Sequence, residues 1–173
     1  LNCQGLGAKE KRQRLYMWMK YQKCNILYVQ ESHFTDKLKV NLEYEFKGQQ
    51  YHSFGTSQSK GVSIFINNEI DCKFIDKFQD EEGRLILLNI EIEDSIYTLV
   101  NIYAPNIPQK RNVFFKKVKD VITKNSLGMV IIGGDMNDTL TNIDNKHNMS
   151  KKSFKEKKAV PSLKSLIKTH KLS

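Results

Sequence analysis

The sequence is short of cysteine, of long apolar runs and of export signals, and each shortage removes a class of protein. Its three cysteines (Cys3, Cys24, Cys72) are widely spaced and odd in number, with no C-x-x-C pair and no histidine nearby at zinc-finger spacing. That excludes a disulfide framework and a Cys/His zinc site, and leaves free thiols in a reducing compartment. The apolar stretches are short and broken by polar residues, so none spans a bilayer and no membrane partner is expected. The first fifteen residues, LNCQGLGAKEKRQRL, contain no apolar stretch of the kind a signal peptide requires. Gly5-Leu6-Gly7 lacks the third glycine of a dinucleotide fingerprint. Asn137-Asp138-Thr139 and Asn148-Met149-Ser150 fit the glycosylation acceptor pattern, which means nothing without export. There is no internal repeat.

What remains is an ordinary globular composition. The chain has 173 residues, 39% hydrophobic and 27% charged, which suits one domain over 1–173. A domain of that size buries roughly 70% of its unfolded surface and needs no disulfide or structural metal. The formal net charge of +9 points to a polyanionic partner, nucleic acid before an acidic membrane surface. An initiator Met is absent, and Leu1-Asn2-Cys3 reads like the tail of a strand already under way. His170-Lys171-Leu172-Ser173 stops just after a helical pattern, so the expectation is a piece cut at both ends.

Periodicity predicts the elements. Residues 9–24 read as a helix with Leu15, Trp18, Met19 and Gln22 on one face. Lysines and arginines crowd its first turns, where they oppose the macrodipole and do not serve helix stability. Ile26-Leu27-Tyr28-Val29-Gln30 is a compact apolar run, expected as a strand buried on both faces. Residues 49–54, 61–66, 70–75, 84–92 and 95–103 read as further strands. Pro105 and Pro108 break the pattern, and Phe114, Val118, Val121 and Ile122 mark a second helix. Residues 129–133 read as another buried strand and 138–158 as a polar loop with six lysines in its last thirteen positions. Pro161 opens a last helix with Leu163, Leu166 and Ile167 inward. This order predicts an α/β sandwich with mostly antiparallel pairing.

Four polar clusters interrupt the apolar segments, each where a strand gives way to a loop: Asn2 with Gly5; Glu31 with Gln30 and His33; Tyr103 and Asn106; Asp135 and Asn137. Strand ends converge on one rim in layered folds, so such groups can assemble a site. Glu31 beside the Asn2 amide suits a hard cation such as Mg²⁺. Asp135 can deprotonate or orient a water, and Asn137 can hold that nucleophile or the developing oxyanion. The Tyr103 hydroxyl can donate to a phosphate oxygen. Together they suit metal-assisted phosphoester hydrolysis. Taken singly, each has a plain structural reading: Asn2 as a turn residue, Glu31 as a solvated carboxylate or helix cap, Gly133-Gly134-Asp135 as strand-to-turn punctuation, 101–106 as a rigid strand exit. His33 reads as structural, since Glu31 is the better ligand for a hard ion, and His52, His147 and His170 show no partner spacing.

In chain order, Asn2-x-x-Gly5, Val29-Gln30-Glu31-Ser32-His33, Gly61-Val62-Ser63-Ile64, Gly83-Arg84, Asn101-Ile102-Tyr103-Ala104-Pro105-Asn106 and Gly133-Gly134-Asp135-Met136-Asn137 resemble successive motifs of the exonuclease–endonuclease–phosphatase superfamily. The Gln-Glu-Ser-His and Tyr-Ala-Pro-Asn forms resemble the abasic-type nucleases, particularly those of LINE-type retrotransposons. The resemblance implies a four-layered α/β sandwich of two mostly antiparallel sheets flanked by helices, incomplete at both termini. It implies Mg²⁺, with Mn²⁺ as a substitute, on Glu31 with Asn2 in its network. It further implies Tyr103 at the scissile phosphate, Asp135 on the attacking water assisted by Asn137, Asn106 as a secondary site residue and Arg84 as a structural or substrate neighbour. A Ser-Arg-Ile-Asp-like segment and a final Ser-Asp-His, which the family carries further on, do not occur in these residues. The piece alone is therefore expected to be inactive or nearly so, because loss of one member of a cooperating set costs most of the rate.

Three functions fit. The leading one is a nicking endonuclease that leaves a 3′-hydroxyl for a reverse transcriptase domain downstream, intracellular and acting on DNA in the nucleus. The second is a cellular abasic-site nuclease or exonuclease. The third is a non-catalytic nucleic-acid-binding relic. Residues 146–158 are either a DNA-facing loop or a solvated one.

Overall fold

The computed structural model describes residues 1–137. The lysine-rich segment, the helix expected after Pro161 and the residues between them lie outside the described residues. The first helix, α1 (Lys9–Tyr21), is built from straight-chain helix formers. It buries Arg12, Leu15 and Met19, spaced three and four apart. Trp18 was expected inward and is 43% exposed. The inward stripe runs instead through Arg12, whose guanidinium donates to Glu45 at 2.6 and 2.8 Å and to the Leu6 and Gly7 carbonyls. One of the cations that opposes the helix dipole is therefore structural.

Strand β1 (Ile26–Gln30) follows, then a 3₁₀ turn, the short helix α2 (Lys39–Glu45), β2 (Gln49–Ser53) and β3 (Val62–Ile66). These strands form an antiparallel sheet in the order β1-β3-β2. The second sheet runs β4 (Lys73–Gln79), β5 (Leu85–Ile92), β6 (Ser95–Tyr103) and β7 (Met129–Asp135), in that spatial order. Its first three strands are antiparallel. The last helix, α3 (Pro108–Asn125), crosses over so that β7 pairs parallel with β6. Pro108 occupies the first turn of α3, where its missing N–H costs nothing.

Two strands differ from expectation. β4 lies three to four residues later than the apolar run 70–75 suggested, because Ile70 closes a turn onto Asn67 and pairing with β5 sets the bounds. β7 was expected buried over 129–133, yet Met129 is 67% and Ile131 43% exposed. Among the described residues β7 pairs with β6 alone, so it is an edge strand, and it runs on through both glycines to Asp135.

Three apolar clusters fill the gaps between layers. Leu6, Leu15, Met19, Leu27, Val29, Phe34, Leu42 and Phe65 join α1 and α2 to the first sheet. Val62, Ile64, Ile66, Ile86, Leu88, Ile90 and Leu99 join sheet to sheet. Leu85, Leu87, Val100 and Ile102 meet Phe114, Phe115, Val118 and Ile122 of α3. Three interlayer cores make four layers: helix, sheet, sheet, helix. No helix among the described residues is long and apolar enough to cross a membrane.

Candidate active site

The ends of β1, β6 and β7 and the start of β5 lie at one rim, because Gln30 pairs with Val62, Leu85 with Ile102 and Tyr103 with Asp135. Backbone bonds of its neighbours bring Asn2 to them. The Leu1 nitrogen donates to Tyr28 O at 2.7 Å, Gln30 N to Leu1 O at 3.0 Å and Cys3 N to Gln30 O at 2.9 Å. Residues 1–3 thus run parallel beside β1, with an isolated bridge between Asn2 and Gln30.

The side chains meet there. Tyr103 donates its hydroxyl to Glu31 Oε1 at 2.6 Å. The Asn2 amide donates to Glu31 Oε1 and to Asp135 Oδ2, each at 3.1 Å, and so bridges two carboxylates. Asn137 donates its backbone N–H to Asp135 Oδ1 at 3.0 Å and its amide to Ala104 O at 2.7 Å. The Arg84 guanidinium lies 5.0 Å above the Tyr103 ring and donates to Tyr103 O at 3.0 Å. Five of the expected residues therefore form one connected cluster, with Arg84 behind it. Asn106 does not join. It is exposed, and its carbonyl accepts from Arg111.

Electrostatics keeps the pieces in usable states. The Tyr103 hydrogen bond is the chief cause holding the Glu31 carboxyl below its ordinary range, with help from Asn2, His33 and Arg84 against partial burial. Burial, then Glu31, pushes the Tyr103 hydroxyl up to about 12. At neutral pH Glu31 is an anion and Tyr103 a donor. Glu31 Oε1 accepts two hydrogen bonds, whereas Oε2 has His33 Nε2 at 3.8 Å. His33, read as structural, stands beside that carboxylate, and its ring meets Gly5, where an added Cβ would lie 2.9 Å from Nδ1.

Backbone geometry explains the two glycines before Asp135, and not as turn punctuation. A Cβ at Gly133 would lie 2.4 Å from the Tyr28 ring of the opposite sheet. Gly134 has φ +141°, and a Cβ there would lie 2.1 Å from Ile102 O. Both glycines let β7 close up so that Asp135 reaches the rim.

Sequence reading missed two supports. Asp80 is buried and accepts from Ser53 Oγ, Arg84 N and Leu85 N at 2.9–3.0 Å, with Lys117 at 3.3 Å. It fixes the turn that launches Arg84. Arg111 bonds the carbonyls of both Asn106 and Asn137 and ties their loops. Neither carries a sequence signal beyond its charge, because irregular turn and loop bonds such as Arg84 N to Asp80 and Arg111 to Asn106 O follow no period, and Ser53, Lys117 and Asn137 are distant in the chain. Among the described residues no three His, Cys, Asp or Glu side chains converge as a metal cage. The oxygen-bearing side chains of the cluster are the Glu31 and Asp135 carboxylates, the Asn2 and Asn137 amides and the Tyr103 hydroxyl. Two surface grooves, of about 570 and 410 Å³, lie elsewhere, lined by residues such as Phe78, Lys116 and Asp120, or Tyr16, Lys20 and Glu45.

A four-layered sandwich with such a cluster at one rim is the architecture of a hydrolase superfamily. The chain belongs to the Endonuclease/Exonuclease/phosphatase family, whose model matches residues 1–156. It is 27% identical over 141 residues to a Transposon TX1 uncharacterized 149 kDa protein of Xenopus laevis, covering 81% of this chain and 11% of that protein. Among solved structures it resembles an AP endonuclease from Leishmania major, with TM-score 0.72 and 18% identity over 96% of this chain and 64% of that one. An AP endonuclease from Archaeoglobus fulgidus gives TM-score 0.57 and 23% identity, over 77% and 56%. A humanized D. rerio TDP2 gives 0.60 and 16%, over 87% and 65%. These likenesses show the fold. The chain spans a ninth of the transposon protein and under two thirds of these structures.

Proposed function

We propose that this chain is part of the nuclease of a LINE-type retrotransposon protein, and that the whole nuclease hydrolyses one DNA strand with Mg²⁺ to leave a 3′-hydroxyl for reverse transcription. The observation that carries this reading is the bridge from Glu31 through Asn2 to Asp135, with Tyr103 on the same carboxylate. The transposon relative supports the mobile-element half. A reverse transcriptase domain is the expected neighbour, and the nucleus the place of action.

The donor set fits a hard cation: an ionised carboxylate with one oxygen free of short hydrogen bonds, and a neighbouring amide oxygen. Glu31, with Asn2 beside it, would hold Mg²⁺ or Mn²⁺, which supplies positive charge to a phosphate oxygen and the departing O3′. Asp135, oriented by Asn2 and by the Asn137 N–H, takes the proton of the attacking water. Water adds to phosphorus, the P–O3′ bond breaks, and O3′ is protonated by solvent. Tyr103 stays protonated, and its single O–H, held by Glu31 Oε1 in the free chain, turns to a phosphate oxygen when substrate is bound. Arg84 holds its ring from behind. Contacts of Lys and Arg to the backbone make binding strongly salt-dependent.

The test is supercoiled-plasmid nicking with Mg²⁺, run on this chain and on a version carrying the adjoining residues of its reading frame. Asp135→Ala accompanies both, and an abasic duplex serves as second substrate. Nicking of intact plasmid that falls about 10²–10⁴-fold in Asp135→Ala supports the reading. Cleavage confined to the abasic duplex replaces it with a repair nuclease. Binding without cleavage by either form leaves a nucleic-acid-binding relic.

A further inference from the structure

Gln30 and Asn101 stand inside the motifs that carry Glu31 and Tyr103, and nothing above gives either a task. Gln30 ends β1, one residue before Glu31, and Asn101 lies in β6, two residues before Tyr103. The two strands belong to different sheets. Their side chains meet between the sheets: Gln30 Nε2 donates to Asn101 Oδ1 at 2.6 Å, with the residues 2% and 0% exposed. The Asn101 amide also donates to Val29 O at 2.9 Å and to Ser63 O at 2.8 Å. One side chain of the second sheet thus grips both β1 and β3 of the first.

The surrounding layer is apolar, with Val62, Ile64, Ile86 and Leu99. Apolar packing is non-directional and tolerates small slides of one sheet over the other. A buried amide pair does not, because any slip leaves donors and acceptors unpaired with no water to replace them. Asn101 also serves the Val29 and Ser63 carbonyls, so the pair fixes the relative position of the sheets as well as contributing to stability.

We propose that Gln30 and Asn101 are the positioning pair of the site, setting the gap at which Glu31 on one sheet meets Tyr103 and Asp135 on the other. Tyr103 and Asp135 move together because they are register partners in β6 and β7. Glu31 reaches them across the intersheet gap, and the pair is the buried polar link next to it, beside the more exposed bonds of Asn2 to Asp135 and of Tyr28 to Ile131 O. The catalytic part of the proposal rests on the phosphodiester-hydrolase reading, while its geometric part is independent of it.

The first measurement is side-chain amide hydrogen exchange on the unmodified chain. Gln30 and Asn101 amides are expected to exchange at least ~100-fold more slowly than that of exposed Gln109, because both are hydrogen-bonded out of solvent. Equal rates overturn the proposal. The second is the crystal structure and melting curve of the Gln30→Met/Asn101→Leu double variant, with Gln30→Met alone as the milder form should the double variant not fold. The Glu31–Tyr103 separation is expected to open from 2.6 Å to beyond about 3.5 Å, with Tm lowered by roughly 5–10 °C because the Val29 and Ser63 carbonyls lose their Asn101 donor. A separation that stays at hydrogen-bond length overturns the proposal. In the longer chain, kcat for nicking is expected to fall roughly 10²-fold with KM for DNA little changed, and a pure KM effect also overturns it. Absence of nicking by the parent protein would sink the nuclease reading, leaving the exchange and the separation to decide the pair.

Discussion

The two ends of the sandwich both hold left-handed backbone outside glycine, and they use it differently. At the far end Lys23 closes α1 and Glu93-Asp94 turns β5 into β6. The bonds there are local: Lys23 N to Lys20 O, and Ile92 paired with Ser95 across a two-residue turn. At the rim Gln4, Glu31, His33, Lys60 and Asn137 take φ between +47° and +65°. Here the bonds are long in sequence, from Asn2 to a carboxylate 133 positions on and from Tyr103 to one 72 positions back. Left-handed backbone at the far end shapes a turn. At the rim it aims Glu31 and turns the chain just past Asp135, which is where strain is expected to gather around a site.

The largest test of this contrast concerns a group held in the interior behind the rim. His52 is buried, its Nδ1 2.8 Å from Ser63 Oγ, and burial lowers it to about 4. Its folded value lies below the unfolded one, so the unfolded chain binds more protons between the two. Stability is expected to fall as pH drops from about 6.5 towards 4, by roughly 3 kcal/mol in all. Urea melts at pH 7.0 and 4.5, with and without His52→Phe, would show it. A pH dependence unchanged by the substitution would remove His52 as the cause.

Gly134→Ala should cost about 2 kcal/mol, since it forces both a left-handed side chain and a clash with Ile102 O. Gly7→Ala is the matched control, because a Cβ there meets nothing within 4 Å. Equal melting shifts for the two would mean that β7 is less tightly seated than described.

Tyr103→Phe should reduce nicking roughly tenfold by removing one charge-assisted hydrogen bond. With the chief lowering cause gone, the Glu31 carboxyl moves back up towards its ordinary range and the acid limb of activity moves to higher pH. Carboxyl-carbon NMR of the metal-free chain reads this directly, and an unmoved Glu31 would detach the phenol from the site. The smallest effect belongs to the far end. Glu93→Asn with Asp94→Gly should stabilise the hairpin by about 0.5 kcal/mol, since these residues suit left-handed turn positions. Nicking should be unchanged, and an altered rate would couple the ends that the structure keeps apart.

Much of the fold was legible. The extents of β2, β3, β5 and β6 follow alternation to within a residue at either end, and α3 follows its 3.6-residue stripe of Phe114, Val118, Val121 and Ile122. Departures came where a tertiary partner outweighed local pattern. Arg12 displaced Trp18 from the inner face of α1 because Glu45 received its charge. β4 took its bounds from β5, and β7 became an edge strand despite its apolar run. At the rim, the motifs named Asn2, Glu31, Tyr103, Asp135 and Asn137, and the structure brings them together. Asn106 stayed apart, while Asp80, Arg111 and the Gln30–Asn101 contact were invisible because hydrogen bonds of irregular loops and between distant residues leave no period or spacing.

By itself the sequence determined most element bounds and which chemical groups were available, because burial periodicity and strand ends are written in local order, while the four-layer scheme came through the family resemblance. Only the tertiary structure decided which oxygen of Glu31 is occupied, why β7 needs two glycines and how one sheet is set against the other. Those are properties of the gap between two sheets, and a one-dimensional pattern holds no measure of a distance across it.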